Sequence, residues 1–174
     1  MYIETDLHII SQQEKDREVE NWDFKNFLKQ NFNADIDPIV HKLNTEVSSK
    51  IDCTSCGNCC KTLMINVTEA GCETMSTHLQ TSIIAFKQKY IETSQEATTM
   101  VINSMPCSFL SNNKCTVYEQ RFEECREFPH LHKPDFVQRT FGTLMHYGRC
   151  PIIYNVWEQL KQQLHYTYNH KLQE

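Results

Sequence analysis

Glycine is scarce in this 174-residue chain: there are four, Gly57, Gly71, Gly142 and Gly148, and no two lie close together. That removes the glycine-rich phosphate cradle and the dinucleotide fingerprint, both of which need clustered glycines to bring backbone N–H groups onto phosphate. A basic excess is missing as well. Lys and Arg number 17 against 22 Asp and Glu, a net charge of −5, so the attraction that draws proteins to nucleic-acid backbones or anionic lipid is absent. No apolar run reaches the length of about eighteen residues that a membrane span requires. The N-terminal MYIETDLHIISQQEKD has neither the charged nor the apolar stretch of a signal peptide. The expectation is a cytoplasmic protein without nucleic acid or membrane as partner. The length fits one compact domain with an appended helical arm.

What the chain has in excess is cysteine, nine in all. Packing alone rarely calls for so many thiols, leaving disulfides, metal ligation or redox chemistry. Thiols stay reduced in the cytosol and the count is odd, which makes a disulfide framework the lesser reading. Redox cycling of Cys53/Cys56 or Cys59/Cys60 is weaker still, because a C-x-x-C outside a βαβ context gives it little support. Metal or cluster ligation takes precedence.

Apolar periodicity predicts a mainly α fold: a small irregular metal-centred domain with one short β-hairpin, preceded by a helical N-terminal arm. The arm covers 1–50, the cysteine-cluster domain 51–165 and a fraying tail 166–174. Val19, Trp22, Phe27 and Leu28 predict a helix over about 11–31. Asp37 and Pro38 then supply an N-cap and a first-turn proline for a helix carrying Val40, Leu43, Val47 and Ile51. Thr68 and Thr81 each precede a further helix, the second running through SIIAFKQKYIET. In CSFLSNNKCTVY, at 107–118, the turn-forming SNNK separates two β-prone runs, bringing Cys107 and Cys115 near one another. Cys150-Pro151 opens a last helix carrying Ile153, Val156, Trp157, Leu160 and Leu164.

The sharpest motif is Cys53-x-x-Cys56-Gly57-x-Cys59-Cys60. Two residues between thiols let a tight turn aim both sulfurs at one ion, and Gly57 can take the positive φ of such a knuckle. Adjacent residues project differently, so Cys59 and Cys60 are expected to diverge, implying two sites or a polynuclear one. With Cys107, Cys115, Cys125 and Cys150 the motif makes eight candidate metal ligands, and Cys72 is left over. Paired knuckles suit a structural zinc site. C-x2-C-x2-C with a remote Cys-Pro, here Cys150-Pro151, echoes an iron–sulfur pattern, possible in the [4Fe–4S] form.

Thiolate centres are anionic and easier to bury beside cations. Lys61, Lys114, Arg126 and Arg149 each adjoin a candidate ligand, and Arg126 in Cys125-Arg126-Glu127-Phe128-Pro129 is the favoured one. As candidate acids or bases the chain offers His130, His132 and His146, each more simply read as a satisfied structural residue.

CTSCGNCCK at 53–61, PCSFL at 106–110, CTVYEQR at 115–121 and CREFP at 125–129 together resemble the YkgJ-like cysteine-cluster family, a zinc- or iron-chelating domain. The resemblance implies that Cys53, Cys56, Cys59, Cys60, Cys107, Cys115 and Cys125 are motif cysteines and Cys150 the later one. It also brings in Arg121, in the C-x-x-Y-x-x-R segment, beside Arg126 as a residue that holds the bound group. This chain has Phe122 where the family usually carries proline. The function implied is a metal- or cluster-binding protein with a metal ion or cluster as partner and room for a protein partner. The alternative is a cluster-dependent enzyme for protein modification or group transfer, since flagellin lysine N-methylase shares a similar cysteine pattern.

Overall fold

The computed structural model describes residues 2–94 and 99–168. In chain order its helices and strands are α1 (Leu7–Asp16), α2 (Glu18–Asn31), α3 (Asp37–Ser48), α4 (Cys53–Cys56), α5 (Asn58–Thr62), β1 (Asn66–Val67), α6 (Glu69–His78) and α7 (Ile83–Tyr90). There follow β2 (Ile91–Thr93), β3 (Met100–Ile102), β4 (Leu110–Ser111), β5 (Lys114–Cys115), α8 (Glu123–Glu127), α9 (Phe136–Leu144) and α10 (Pro151–Gln163). The fold is mainly α with short antiparallel strands, as the apolar periodicity predicts. The tail expected at 166–174 lies outside the described residues from 169 onward.

Two compact units divide the chain: Met1–Asp52 with Pro129–Glu174, and Cys53–Phe128. In the first, here the helical unit, α10 packs on α3 and α1, and α2 on α9. Trp157 of α10 is almost wholly buried; Phe24 meets it edge-on with ring centroids 5.3 Å apart. The one polar atom of its ring is satisfied by Asn21, whose Oδ1 accepts the indole N–H at 3.0 Å. Beside this aromatic core runs a chain of charges. Lys161 donates to Glu20 at 2.7 Å and lies 2.9 Å from Glu158, which also receives Tyr147 Oη–H at 2.9 Å and pairs with Arg17.

Two expectations for this unit need correction. The single helix over 11–31 is two helices. The first begins earlier, at Leu7, because the Asp6 carboxylate accepts the N–H groups of His8 and Ile9; it ends at Arg17, whose φ of −114° and ψ of 17° break the helix. Asp37 is not the cap of its own helix, since Ile36 holds that position. Its carboxylate instead accepts the N–H groups of Asp135 at 2.7 Å and Phe136 at 2.9 Å, serving the start of α9, where Asp135 provides no side-chain cap.

The second unit, here the cysteine unit, has a small apolar core of its own built on Val67, Met75, Phe86, Ile102, Phe109 and Phe122. Thr68 Oγ1 caps α6 by accepting Gly71 N–H at 3.1 Å. Ser82, not Thr81, caps α7, accepting Ala85 N–H at 3.2 Å. The helix predicted through Ile91-Glu92-Thr93 stops at Tyr90. Those residues, two of them β-branched, instead pair antiparallel with β3, which also pairs with β1, so a three-stranded sheet of order β1-β3-β2 joins the one hairpin expected.

Candidate metal centre

The knuckle is two short turns of helix hinged at one glycine. Cys53–Cys56 forms α4, Gly57 N–H donates to Cys53 C=O at 3.1 Å, and α5 begins at Asn58. Gly57 has φ +58°, in the left-handed region, where a side chain is disfavoured. A Cβ there would also sit 2.8 Å from the Asn113 carbonyl oxygen. That close approach seats the knuckle against the hairpin. Asn112 and Asn113, with φ of 49° and 63°, form the two-residue turn between β4 and β5. A hairpin loop of this kind needs positive φ at both central residues, and Asn tolerates it best after Gly.

The cysteines follow from this frame. Cys107 N–H donates to Cys60 C=O at 2.8 Å, tying the knuckle to the segment entering the hairpin. Cys115 ends β5, against which α4 packs. Cys125 lies on α8, which packs beside β1. Cys107, Cys115 and Cys125 all border the apolar core. Segments remote in sequence thus bring thiols to one region.

Electrostatics report the same grouping. Hydrogen bonding from the Cys60 side chain, helped by backbone N–H groups, holds the Cys59 thiol down at about 6 against burial. Cys60 is driven the opposite way by the same hydrogen bonding, by burial and by the neighbouring charges of Cys59, Cys107 and Cys115. Burial pushes Cys125 up to about 12, reinforced by Cys107, Cys59 and Cys115 and opposed by Arg121. Cys107 is raised by burial, against a backbone N–H from Phe109.

Arg121 is the cation that acts on Cys125. Its guanidinium lies 3.8 Å from the Tyr118 ring centroid and donates to Tyr118 C=O at 2.6 Å. Arg126 in turn donates from Nη1 to Arg121 C=O, so the favoured arginine braces the backbone that carries the other. The Arg121–Tyr118 stack escaped the sequence reading, although the three-residue spacing within a turn could have suggested it.

Cys72, Cys150 and the histidines complete the candidates. Cys72 is fully buried among the apolar side chains of the cysteine unit, where burial raises its thiol. Cys150 belongs to the helical unit, buried at the N-cap of α10, its N–H donating to His146 C=O at 3.0 Å. His130 and His146 share that unit, and burial, then Arg149 and His130, lower His146.

All nine cysteines are thiols, none joined in a disulfide. Among the described residues no group of three or more His, Cys, Asp or Glu side chains is arranged to hold a metal ion. The donor set fits in chemistry, soft sulfurs gathered from the knuckle, the hairpin and α8, with loading requiring those sulfurs to converge. No helix of the described residues is long and apolar enough to cross a membrane.

A family model described as "Putative zinc- or iron-chelating domain", CxxCxxCC, matches residues 52–147. No curated protein and no solved structure was found to match the chain.

Proposed function

This chain belongs to the CxxCxxCC family of zinc- or iron-chelating domains, and on that premise we propose that it binds its metal through thiolates of the cysteine unit, as an iron–sulfur cluster or a zinc ion. The ligands are drawn from Cys53 and Cys56 of α4, Cys59 and Cys60 of α5, Cys107 and Cys115 at the hairpin, and Cys125 of α8. The observation carrying this reading is that three stretches of chain bring thiols together: Cys107 N–H donates to Cys60 C=O at 2.8 Å, α4 packs on the strand that ends in Cys115, and Cys107, Cys115 and Cys125 border one apolar core. Like charges so gathered repel unless protons or a metal neutralise them, and a bound cation removes that cost. Arg121 adds a positive charge on the Cys125 side. Nine reduced thiols suit a reducing, cytoplasmic compartment. Bound zinc would supply a closed structural cross-link, and a cluster would supply one-electron chemistry.

The test is anaerobic purification of the full chain, followed by an absorption spectrum and by iron, sulfide and zinc analysis of one sample. Iron with matching sulfide and visible charge-transfer absorption identifies the cluster; colourless protein with stoichiometric zinc identifies the structural ion. Cys115→Ser should lose most of the metal in either case. Protein free of metal after reconstitution with each, or Cys115→Ser with full content, overturns the proposal. Where metal is present at about 1,000 times its dissociation constant, its removal should cost about 4 kcal/mol of stability.

A further inference from the structure

A face of the helical unit shared by α2 and α9 carries large apolar groups that the fold leaves in solvent. The Trp22 and Phe141 rings meet there with centroids 5.9 Å apart. Val19, one turn before Trp22, is 50% exposed; Phe141 and Met145, one turn apart along α9 and its C-cap, are 55% and 48% exposed. Gln138, Phe141, Gly142 and Met145 recur at i, i+3, i+4 and i+7, the spacing by which a helix buries one face, yet all four are exposed. Apolar side chains collected on one outer face mark an interaction surface.

Gly142 is the second observation. A glycine within a helix costs stability relative to almost any other residue. At the other three glycines a close neighbour explains the missing side chain, since a Cβ would meet Asn113 at Gly57, Phe122 at Gly71 and Glu14 at Gly148. At Gly142 nothing among the described residues lies within 4 Å. Bare backbone there serves no contact inside the chain and lets a helix from outside approach closely.

Charge identifies the occupant. Along α2, Glu18 precedes Trp22 by one turn and Lys25 follows it by one turn, with Lys25 Nζ 4.8 Å from the indole centroid. An acid and a base placed evenly about a central aromatic are self-complementary: a copy laid antiparallel across Trp22 brings each charge opposite its counterion. We propose that this face joins two copies of the chain about a two-fold axis crossing α2 at Trp22 and α9 at Gly142. The α9 helices cross closely at Gly142, Phe141 and Val19 are covered, and Glu18 faces the partner's Lys25 twice per dimer. With 14 residues α2 is about 21 Å long, and two helices about 10 Å apart offer less than the roughly 800 Å² per partner of a standard interface, so the dimer is a micromolar one. No cysteine takes part, and the pairing stands apart from the metal reading.

The test is sedimentation velocity of the reduced full chain over a concentration series, with circular dichroism and a thermal melt for every variant. Wild type should pass from monomer to dimer in the micromolar range. Gly142→Arg should stay monomeric while melting no lower than wild-type monomer, because arginine favours helix over glycine and open space receives it. Glu18→Lys and Lys25→Glu should each weaken the dimer about tenfold or more, two like-charge contacts replacing two opposite ones. Mixed in equal amounts, these two variants should recover wild-type affinity, since both contacts of the mixed dimer again pair opposite charges. Wild type that stays monomeric throughout, Gly142→Arg that dimerises like wild type, or a mixture no tighter than either variant alone overturns the proposal.

Discussion

The helical unit and the cysteine unit solve the same problem with different materials. In the helical unit, helices of nine to fourteen residues bury whole faces, and key polar groups there have protein partners: Trp157 pairs with Asn21, and Lys161 with Glu20 and Glu158. Apart from α6 and α7, with ten and eight residues, the elements of the cysteine unit are shorter. Its strands have two or three residues, and α4, α5 and α8 have four or five. Its apolar core stops at Cys107, Cys115 and Cys125, where polarisable thiols take over. Elements this short cannot be stable by propagation of backbone hydrogen bonds alone. One unit is held by side-chain burial; the other, on the function proposed above, gains its remaining stability when a metal draws the thiols together.

The largest effect that could break this comparison is expected from Trp157→Ala. Removing a fully buried indole ring should cost about 3–5 kcal/mol, read in denaturant unfolding and in faster amide exchange across α3 and α10. Metal content should stay at wild type. An equal loss of metal would show that burial in the helical unit governs the thiols as well.

Gly57→Ala should be milder and fall on the other side. The left-handed backbone costs an alanine about 1–2 kcal/mol, and its Cβ would press on the Asn113 carbonyl at 2.8 Å. Metal affinity should drop while amide exchange in the helical unit stays unchanged. Full affinity would mean that the seating of the knuckle on the hairpin is dispensable.

A smaller distinction lies in alkaline pH. Tyr147 is raised above its ordinary 10.0 by burial and then by Glu158, and Tyr154 and Tyr166 are raised too, burial first in each. The folded helical unit thus holds protons that the unfolded chain gives up near pH 10, so its stability should decline as pH climbs through and above 10. Denaturant midpoints measured from pH 8 to 11 check this, with tyrosinate absorbance following unfolding. Ionisation of all seven tyrosines near pH 10 without loss of structure would count against the buried phenols.

In the helical unit α3 and α10 were legible because their apolar residues recur at helical spacing, and Cys150-Pro151 marked the start of α10, whereas α9 was not anticipated. Legible too was the SNNK turn, since Asn-Asn accepts the positive φ a tight hairpin demands. Less legible were the break at Arg17 and the pairing of Ile91–Thr93 with Met100–Ile102. The first is a change in two backbone dihedrals without proline or glycine to announce it. The second is a contact across the chain that local periodicity does not encode. In the site, the knuckle and its glycine could be read directly, whereas the bond from Cys107 N–H to Cys60 C=O could not, because it joins backbone groups far apart along the chain.

By itself the sequence determined that this protein is a mainly helical chain with a dense set of cysteines in a metal-chelating motif, because composition and spacing fix which donors exist and how closely neighbours along the chain can cooperate. Tertiary structure decided which distant thiols influence one another, that Asp37 serves the start of a helix far along the chain, and that Arg121 is the cation acting on Cys125. Those are matters of distance through space, and distance through space is set by packing.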